Sequence, residues 1–179
     1  MASRREIFHQ LRDVASELYG EAEGSQIAEM LLMAKGGITR NELLVEPDNE
    51  VVISDLDNIV QELRAWRPVQ YIIGSASFDD MELEVREGVL IPRPETEELV
   101  EWIASEASAD ARIVDVCTGS GCIALALRRR LSKSRVWGID ISTEALEIAC
   151  SNAQKYASDV EFVEGDALGN FAEMVDCEV

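Results

Sequence analysis

The sequence predicts an α/β protein in three stretches: a small N-terminal helical bundle over residues 1–66, a β-hairpin linker over 67–92, and the first part of a doubly wound parallel sheet over 93–179. Three observations carry this. Apolar residues recur at helical spacing through the first stretch. Alternation takes over in the second. From residue 111 the pattern runs strand, helix, strand, helix, strand, which demands a parallel sheet with crossover helices.

In the bundle, Ile7, Leu11, Val14 and Leu18 form one stripe, and Ile27, Met30, Leu31 and Ala34 a second, closed by Gly36-Gly37. Thr39-x-x-Glu42 has the form of a capping box before Leu43-Leu44. Val52, Leu56, Ile59, Val60 and Leu63 make a further stripe. Short amphipathic helices bury a core only against one another, so a bundle follows.

Val69 to Ile73 is β-branched and aromatic and reads as a strand before Gly74. Phe78-Asp79-Asp80-Met81 reads as a tight turn, and Glu82 to Val85 alternates polar and apolar. Ile91-Pro92-Arg93-Pro94 is stiff, extended chain. A helix follows with Glu95, Glu97 and Glu98 in its first turn, where the dipole favours acids. Its expected buried side is Leu99, Val100, Trp102 and Ile103.

The last stretch offers strands at 112–116, 135–139 and 160–163. Helices run between them, at 123–131 and from a Ser142 cap through Tyr156. There is no internal repeat and no low-complexity tract.

Composition narrows the function. Apolar residues make up 47% and charged residues 28%, which is globular. Sixteen Lys and Arg against 35 Asp and Glu leave a formal net charge of −19. That argues against direct nucleic-acid binding and against an anionic membrane surface. It leaves open a nucleotide-like ligand held by backbone amides, or a basic protein partner. No apolar run is long enough for a signal peptide or membrane span, so a soluble, cytoplasmic chain is expected. Cys117, Cys122, Cys150 and Cys177 form no Cys-x-x-Cys pair, and His9 is the lone histidine. No metal site is expected, and the cysteines read as small buried hydrophobes. Trp66, Trp102 and Trp137 read as packing residues, and His9 as solvated.

The richest segment is Asp115-Val116-Cys117-Thr118-Gly119-Ser120-Gly121-Cys122-Ile123-Ala124, between a strand and a helix. Glycines there let the backbone pass close to a ligand, beside unpaired helix-start amides. Asp140, at the tip of the next strand, suits two ribose hydroxyls. Asp166, after the third strand, suits an adenine amino group. Gly119-x-Gly121-x-x-Ala124 also matches the dinucleotide fingerprint. Asp115 tips the balance toward a cationic ligand such as S-adenosylmethionine, because a pyrophosphate disfavours a nearby carboxylate. The plainer alternatives are that Asp140 caps a helix and that Asp166 is a solvated turn acid.

The string from Asp115 to Ala124 resembles the first motif of class I methyltransferases. Ile91-Pro-Arg-Pro-Glu-Thr-Glu97 resembles the signature of the HemK/PrmC-type protein-glutamine methyltransferases. Arg67-Pro68-x-Gln70-Tyr71-x-x-Gly74, followed by Phe78, is similar to that family's preceding segment. The resemblance covers almost the whole chain. It implies a Rossmann-like methyltransferase sheet and S-adenosyl-L-methionine as cofactor. It implies methylation of the glutamine side-chain amide in the Gly-Gly-Gln loop of peptide chain release factors, with those factors as partners. The cofactor residues it implies are Asp115, Cys117, Thr118, Gly119, Ser120, Gly121, Asp140, Asp166 and Ala167. The substrate-proximal residues are Arg93, Pro94, Glu95 and Thr96.

Two departures stand out. Cys117 occupies a position where the family usually has glycine. The family's substrate-gripping Asn-Pro-Pro-Tyr string is absent, so no catalytic residue is assigned. On that basis the sequence reads as part of a longer chain that binds cofactor without completing transfer. The alternatives are a nucleotide-binding module without methyl transfer, or a methyltransferase acting on glutamine in another protein.

Overall fold

A computed structural model describes residues 2–169, and the chain divides into two compact units, Met1–Ile73 and Gly74–Val179. The first unit is helical. It comprises β1 (Ala2–Ser3), α1 (Arg4–Tyr19), α2 (Glu21–Gly36), α3 (Arg40–Val45), β2 (Glu50–Val51), α4 (Leu56–Arg64) and α5 (Val69–Ile73). Both α1 and α3 start with capping boxes, Ser3 with Glu6 and the expected Thr39 with Glu42. Each box satisfies otherwise unpaired first-turn amides.

Ile7, Leu11, Val14, Ile27, Ala28, Leu31, Leu32, Ile59 and Leu63 fill this unit's core. On α2 the buried stripe is shifted from the expected one: Met30 is 40% exposed and Ala34 lies at the surface. Gly24 fixes that rotation. A Cβ there would lie 2.5 Å from the Ser16 amide nitrogen, so α1 and α2 meet at the glycine. The close approach turns Ala28 and Leu32 inward. Arg4 is buried, and its guanidinium caps the C-terminal end of α3 by donating to the Glu42 and Glu46 carbonyls at 3.0 and 3.2 Å.

Residues 69–73 are a helix, not the expected strand. Pro68 starts the turn: its carbonyl accepts from the amides of Tyr71 at 3.0 Å and Ile72 at 3.2 Å. Burial of Ile72 in the bundle core then overrides β-propensity. The expected packing role of Trp66 also fails. It is 59% exposed and meets Tyr19 edge-on at 5.2 Å.

The second unit opens with an antiparallel hairpin, β3 (Ser75–Phe78) and β4 (Met81–Glu84). Asp79 and Asp80 form its two-residue turn, both at positive φ (48° and 58°), as the right-handed twist of a hairpin requires. The hairpin occupies less of the chain than the expected 67–92. Phe78, Met81 and Leu83 are buried in this unit's core with Val100, Leu125 and Leu127. Asp79 anchors the turn, pairing with Arg129 and Arg130.

Next come α6 (Glu95–Glu106), β5 (Arg112–Val116), α7 (Cys122–Arg130), β6 (Arg135–Asp140), α8 (Thr143–Lys155) and β7 (Glu161–Glu164). The three strands pair in parallel in the order β5-β6-β7, which puts the ends of all three at one edge. This is the α/β architecture expected. The expected buried face of α6 is too wide: Val100 is fully buried, but Leu99 is 42% and Trp102 62% exposed. The helix packs along a narrow i, i+3, i+4 stripe of Val100, Ile103 and Ala104, and the Trp102 indole N–H donates to Glu106 at 2.8 Å. Trp137 is buried as expected, with the Arg112 and Arg135 guanidinium groups over its ring. No helix among the described residues is long and apolar enough to cross a membrane.

Candidate functional site

The site lies where β5 gives way to α7. Thr118 to Gly121 form a tight turn, the Gly121 amide donating to the Thr118 carbonyl at 2.9 Å. Cys117, Gly119 and Gly121 all have positive φ, at 63°, 55° and 78°. Glycine adopts that region freely; a side chain there costs roughly 1–2 kcal/mol. Cys117 therefore carries backbone strain that the expected glycine would not.

The two glycines differ in what surrounds them. A Cβ on Gly121 would lie 2.9 Å from Phe162 Cζ and 3.2 Å from Ala149 Cβ, so this glycine serves helix–sheet packing. A Cβ on Gly119 would meet no atom within 4 Å. The chain itself does not require a bare backbone at 119; a ligand lying against the loop would. Gly138, in mid-β6, leaves room for the Phe162 ring, since a Cβ there would come within 2.5 Å of it.

Two carboxylates bracket the loop. Asp115 accepts from the Thr118 hydroxyl at 2.6 Å. Burial pushes its carboxyl above the usual aspartate range, and the charge of Asp140 adds to this; the Thr118 hydrogen bond and the Ala124 amide oppose it. Asp140 accepts from the Gly119 amide at 2.9 Å and the Ser142 amide at 3.0 Å, one on each oxygen. A carboxylate has about four acceptor sites, so two remain for a ligand. The helix-cap alternative falls to a neighbour: Ser142 Oγ caps α8 by accepting from Ala145 at 3.2 Å.

The structure thus brings Asp115, Thr118, Gly119, Gly121 and Asp140 together around one turn: Asp115 and Gly121 bond to Thr118, and Asp140 bonds to Gly119. Ser120 is 2% exposed; its hydroxyl makes no ordinary hydrogen bond and interacts weakly with the Cys122 thiol. Burial pushes that thiol up to about 11, which keeps it protonated and inert. The reading of the cysteines as buried fails for Cys117 and Cys150, which are exposed, because both sit in or beside open loop and helix surface. Cys177 lies outside the described residues.

Asp166 reaches the same sheet edge, since the Gly165 amide donates to the Asp140 carbonyl at 3.0 Å. Its own carboxylate accepts from the Leu168 amide at 2.9 Å, an exposed turn in which Ala167 is half-buried. Arg93, Pro94, Glu95 and Thr96 form the entry to α6, with the Thr96 amide bonded to the Arg93 carbonyl at 3.0 Å. Among the described residues no hydrogen bond or ion pair joins these four to the glycine loop.

Sequence reasoning missed three contributors: Gly138, Phe162 and Asn152. A glycine in mid-strand was a signal for the first. Nothing in a single sequence marks the other two.

A parallel β–α–β–α–β unit with a glycine turn between two carboxylates defines a class, and residues 113–176 match the methyltransferase domain family. Much of the second unit is thus similar to a methyltransferase domain. Residues 7–74 match the PrmC N-terminal domain. The PrmC N-terminal match precedes the methyltransferase match along the chain. A release factor glutamine methyltransferase of Bacillus subtilis is 40% identical over 174 residues, covering 92% of this chain and 60% of its own length. A protein of the same name from Flavobacterium psychrophilum is 35% identical over 161 residues, covering 86% of this chain and 56% of its own. The chain thus spans a little over half the length of these curated relatives.

Proposed function

We propose that this chain holds S-adenosylmethionine in the crevice at the carboxyl ends of β5, β6 and β7. We propose further that it serves methylation of the glutamine side-chain amide in peptide chain release factors. The observation that carries the cofactor reading is Asp115: a carboxylate pushed up by burial, with a second carboxylate nearby and no cation beside it among the described residues. A sulfonium or ammonium group supplies the missing positive charge, whereas a pyrophosphate worsens the imbalance. The open space over Gly119 supports the same reading.

Bound there, S-adenosylmethionine supplies an electrophilic methyl group on a sulfonium sulfur. Asp115 then balances ligand charge, and the free acceptor sites of Asp140 take ribose hydroxyls. Cys117, Thr118, Ser120 and Gly121 shape the turn under the ligand. Asp166 and Ala167 border the adenine. Arg93, Pro94, Glu95 and Thr96 are proposed to face the protein substrate. An amide nitrogen is a poor nucleophile, so it must be held in line and its protons accepted by fixed groups. The Asn-Pro-Pro-Tyr string associated with that role is absent from these 179 residues, and we assign the chain cofactor binding without transfer on its own. The release-factor substrate rests on the names of the relatives. A protein partner rather than a nucleic acid accords with net charge −19.

Titration calorimetry with S-adenosylmethionine, S-adenosylhomocysteine and NAD tests the reading. Binding of the first two is expected; heat from NAD alone overturns it.

A further inference from the structure

Asn152 is a fully buried polar side chain on α8 that the proposed chemistry does not use. It is nonetheless almost completely satisfied. Its Oδ1 accepts from the Glu84 amide at 2.7 Å, and its Nδ2 donates to the Glu84 carbonyl at 3.1 Å. One turn on, the Tyr156 hydroxyl accepts from the Glu82 amide at 2.6 Å and donates to the Glu82 carbonyl at 3.0 Å. Glu82 and Glu84 present the outer edge of β4, so two side chains of a helix stand in for a neighbouring strand. This closes an edge that would otherwise be unpaired.

Asn152 does one thing that Tyr156 does not. Its Nδ2 also donates to the Ser120 carbonyl at 3.0 Å, inside the glycine turn. The Ser120–Gly121 peptide is thereby held at both ends, its carbonyl by Asn152 and its N–H by the Thr118 carbonyl. That peptide is the part of the loop most free to rotate, because Gly121 accepts either sign of φ. The packing of Phe162 against Gly121 limits movement of the α-carbon, not rotation of the peptide plane before it.

We propose that Asn152 is a positioning residue for the cofactor loop: it locks the Ser120–Gly121 peptide plane and, through the same amide, ties the loop to the β3–β4 hairpin. The proposal rests on the cofactor reading above and goes beyond it, because Asn152 is not itself a proposed ligand contact and acts through the Ser120 carbonyl. Removing it leaves the Ser120 carbonyl buried without a partner and lets the peptide rotate, which misaligns the loop amides.

The test compares Asn152→Ala with Tyr156→Phe, measuring S-adenosylmethionine affinity by calorimetry and amide hydrogen exchange at Gly119 and Gly121 without ligand. Asn152→Ala is expected to weaken binding by about tenfold to a hundredfold, in line with the loss of buried hydrogen bonds. It is also expected to speed exchange at Gly121. Tyr156→Phe is expected to speed exchange at Glu82 and leave affinity unchanged. Asn152→Asp, ionised, keeps the volume and the acceptor for the Glu84 amide but loses the donors to the Glu84 and Ser120 carbonyls, and it decides the matter by the same readouts if Asn152→Ala does not fold. Wild-type affinity and wild-type Gly121 exchange in the folded variant overturn the proposal. Should the wild-type protein bind no S-adenosylmethionine, the cofactor reading fails, while Gly121 exchange still tests the peptide lock.

Discussion

Replacing Gly119 with alanine adds one methyl group where the chain has no atom within 4 Å, at φ 55°. The protein-side cost is therefore the left-handed conformation alone, about 1–2 kcal/mol. Reduced freedom of the unfolded chain offsets about 0.4–1 kcal/mol of it. A net loss of about 1 kcal/mol leaves the second unit folded. The same change at Gly121 adds the same backbone strain and a collision with the Phe162 ring and Ala149. Overpacking costs typically about 1–3 kcal/mol more. Urea unfolding of both variants is expected to rank Gly121→Ala as the more damaging by about 2 kcal/mol. Calorimetry with S-adenosylmethionine is expected to show Gly119→Ala losing at least about tenfold in affinity, since the methyl group occupies ligand space. Wild-type affinity in Gly119→Ala would refute the claim that a ligand lies against this turn. Equal destabilisation by the two changes would refute the packing argument.

Asp115→Asn tests the buried charge. The folded-state carboxyl is raised above 3.8, so the native state holds the proton more tightly than the unfolded state, and stability falls as pH rises through the interval between the two values. Denaturation profiles of Asp115→Asn should lose that slope and show higher stability at neutral pH, while cofactor affinity drops; a variant less stable than wild type at neutral pH would contradict the desolvation argument. Gly24→Ala is expected to destabilise the helical unit by about 1–3 kcal/mol despite the better helix propensity of alanine, read from the urea midpoint, because the new methyl group meets the α1 backbone. Thr39→Ala should cost about 1 kcal/mol in the same measurement, through loss of the capping box on α3. Labelled S-adenosylmethionine incubated with this chain and a release factor should yield no methylated factor; rapid incorporation would show that other residues grip the amide.

The parallel sheet was legible because each strand–helix boundary carries its own local signal: the Asp115–Gly121 turn, the Ser142 cap, and Gly165 after β7. The helical stripe of α1 was legible for the same reason. What escaped was set by distant partners. Val69 to Ile73 carries strand-forming residues, and only Pro68 together with burial of Ile72 makes it a helix. Leu99 and Trp102 look like core residues until the neighbours of α6 are known. In the site, Asp115, Gly119 and Asp140 were legible because their chemistry is local to strand ends. Asn152 was not, because its role depends on Glu84 and Ser120, 68 and 32 residues away in sequence. The two-sided use of Asp140, bonding the Gly119 amide and the Ser142 amide before any ligand arrives, likewise needed coordinates.

A structure of this chain bound to S-adenosylmethionine bears most directly on the account. It should place the ligand's cationic end against the Asp115 carboxylate and the ribose hydroxyls on Asp140, with the nucleoside lying over Gly119. A nucleoside seated elsewhere in the molecule, or an Asp115 facing no positive group, would contradict it.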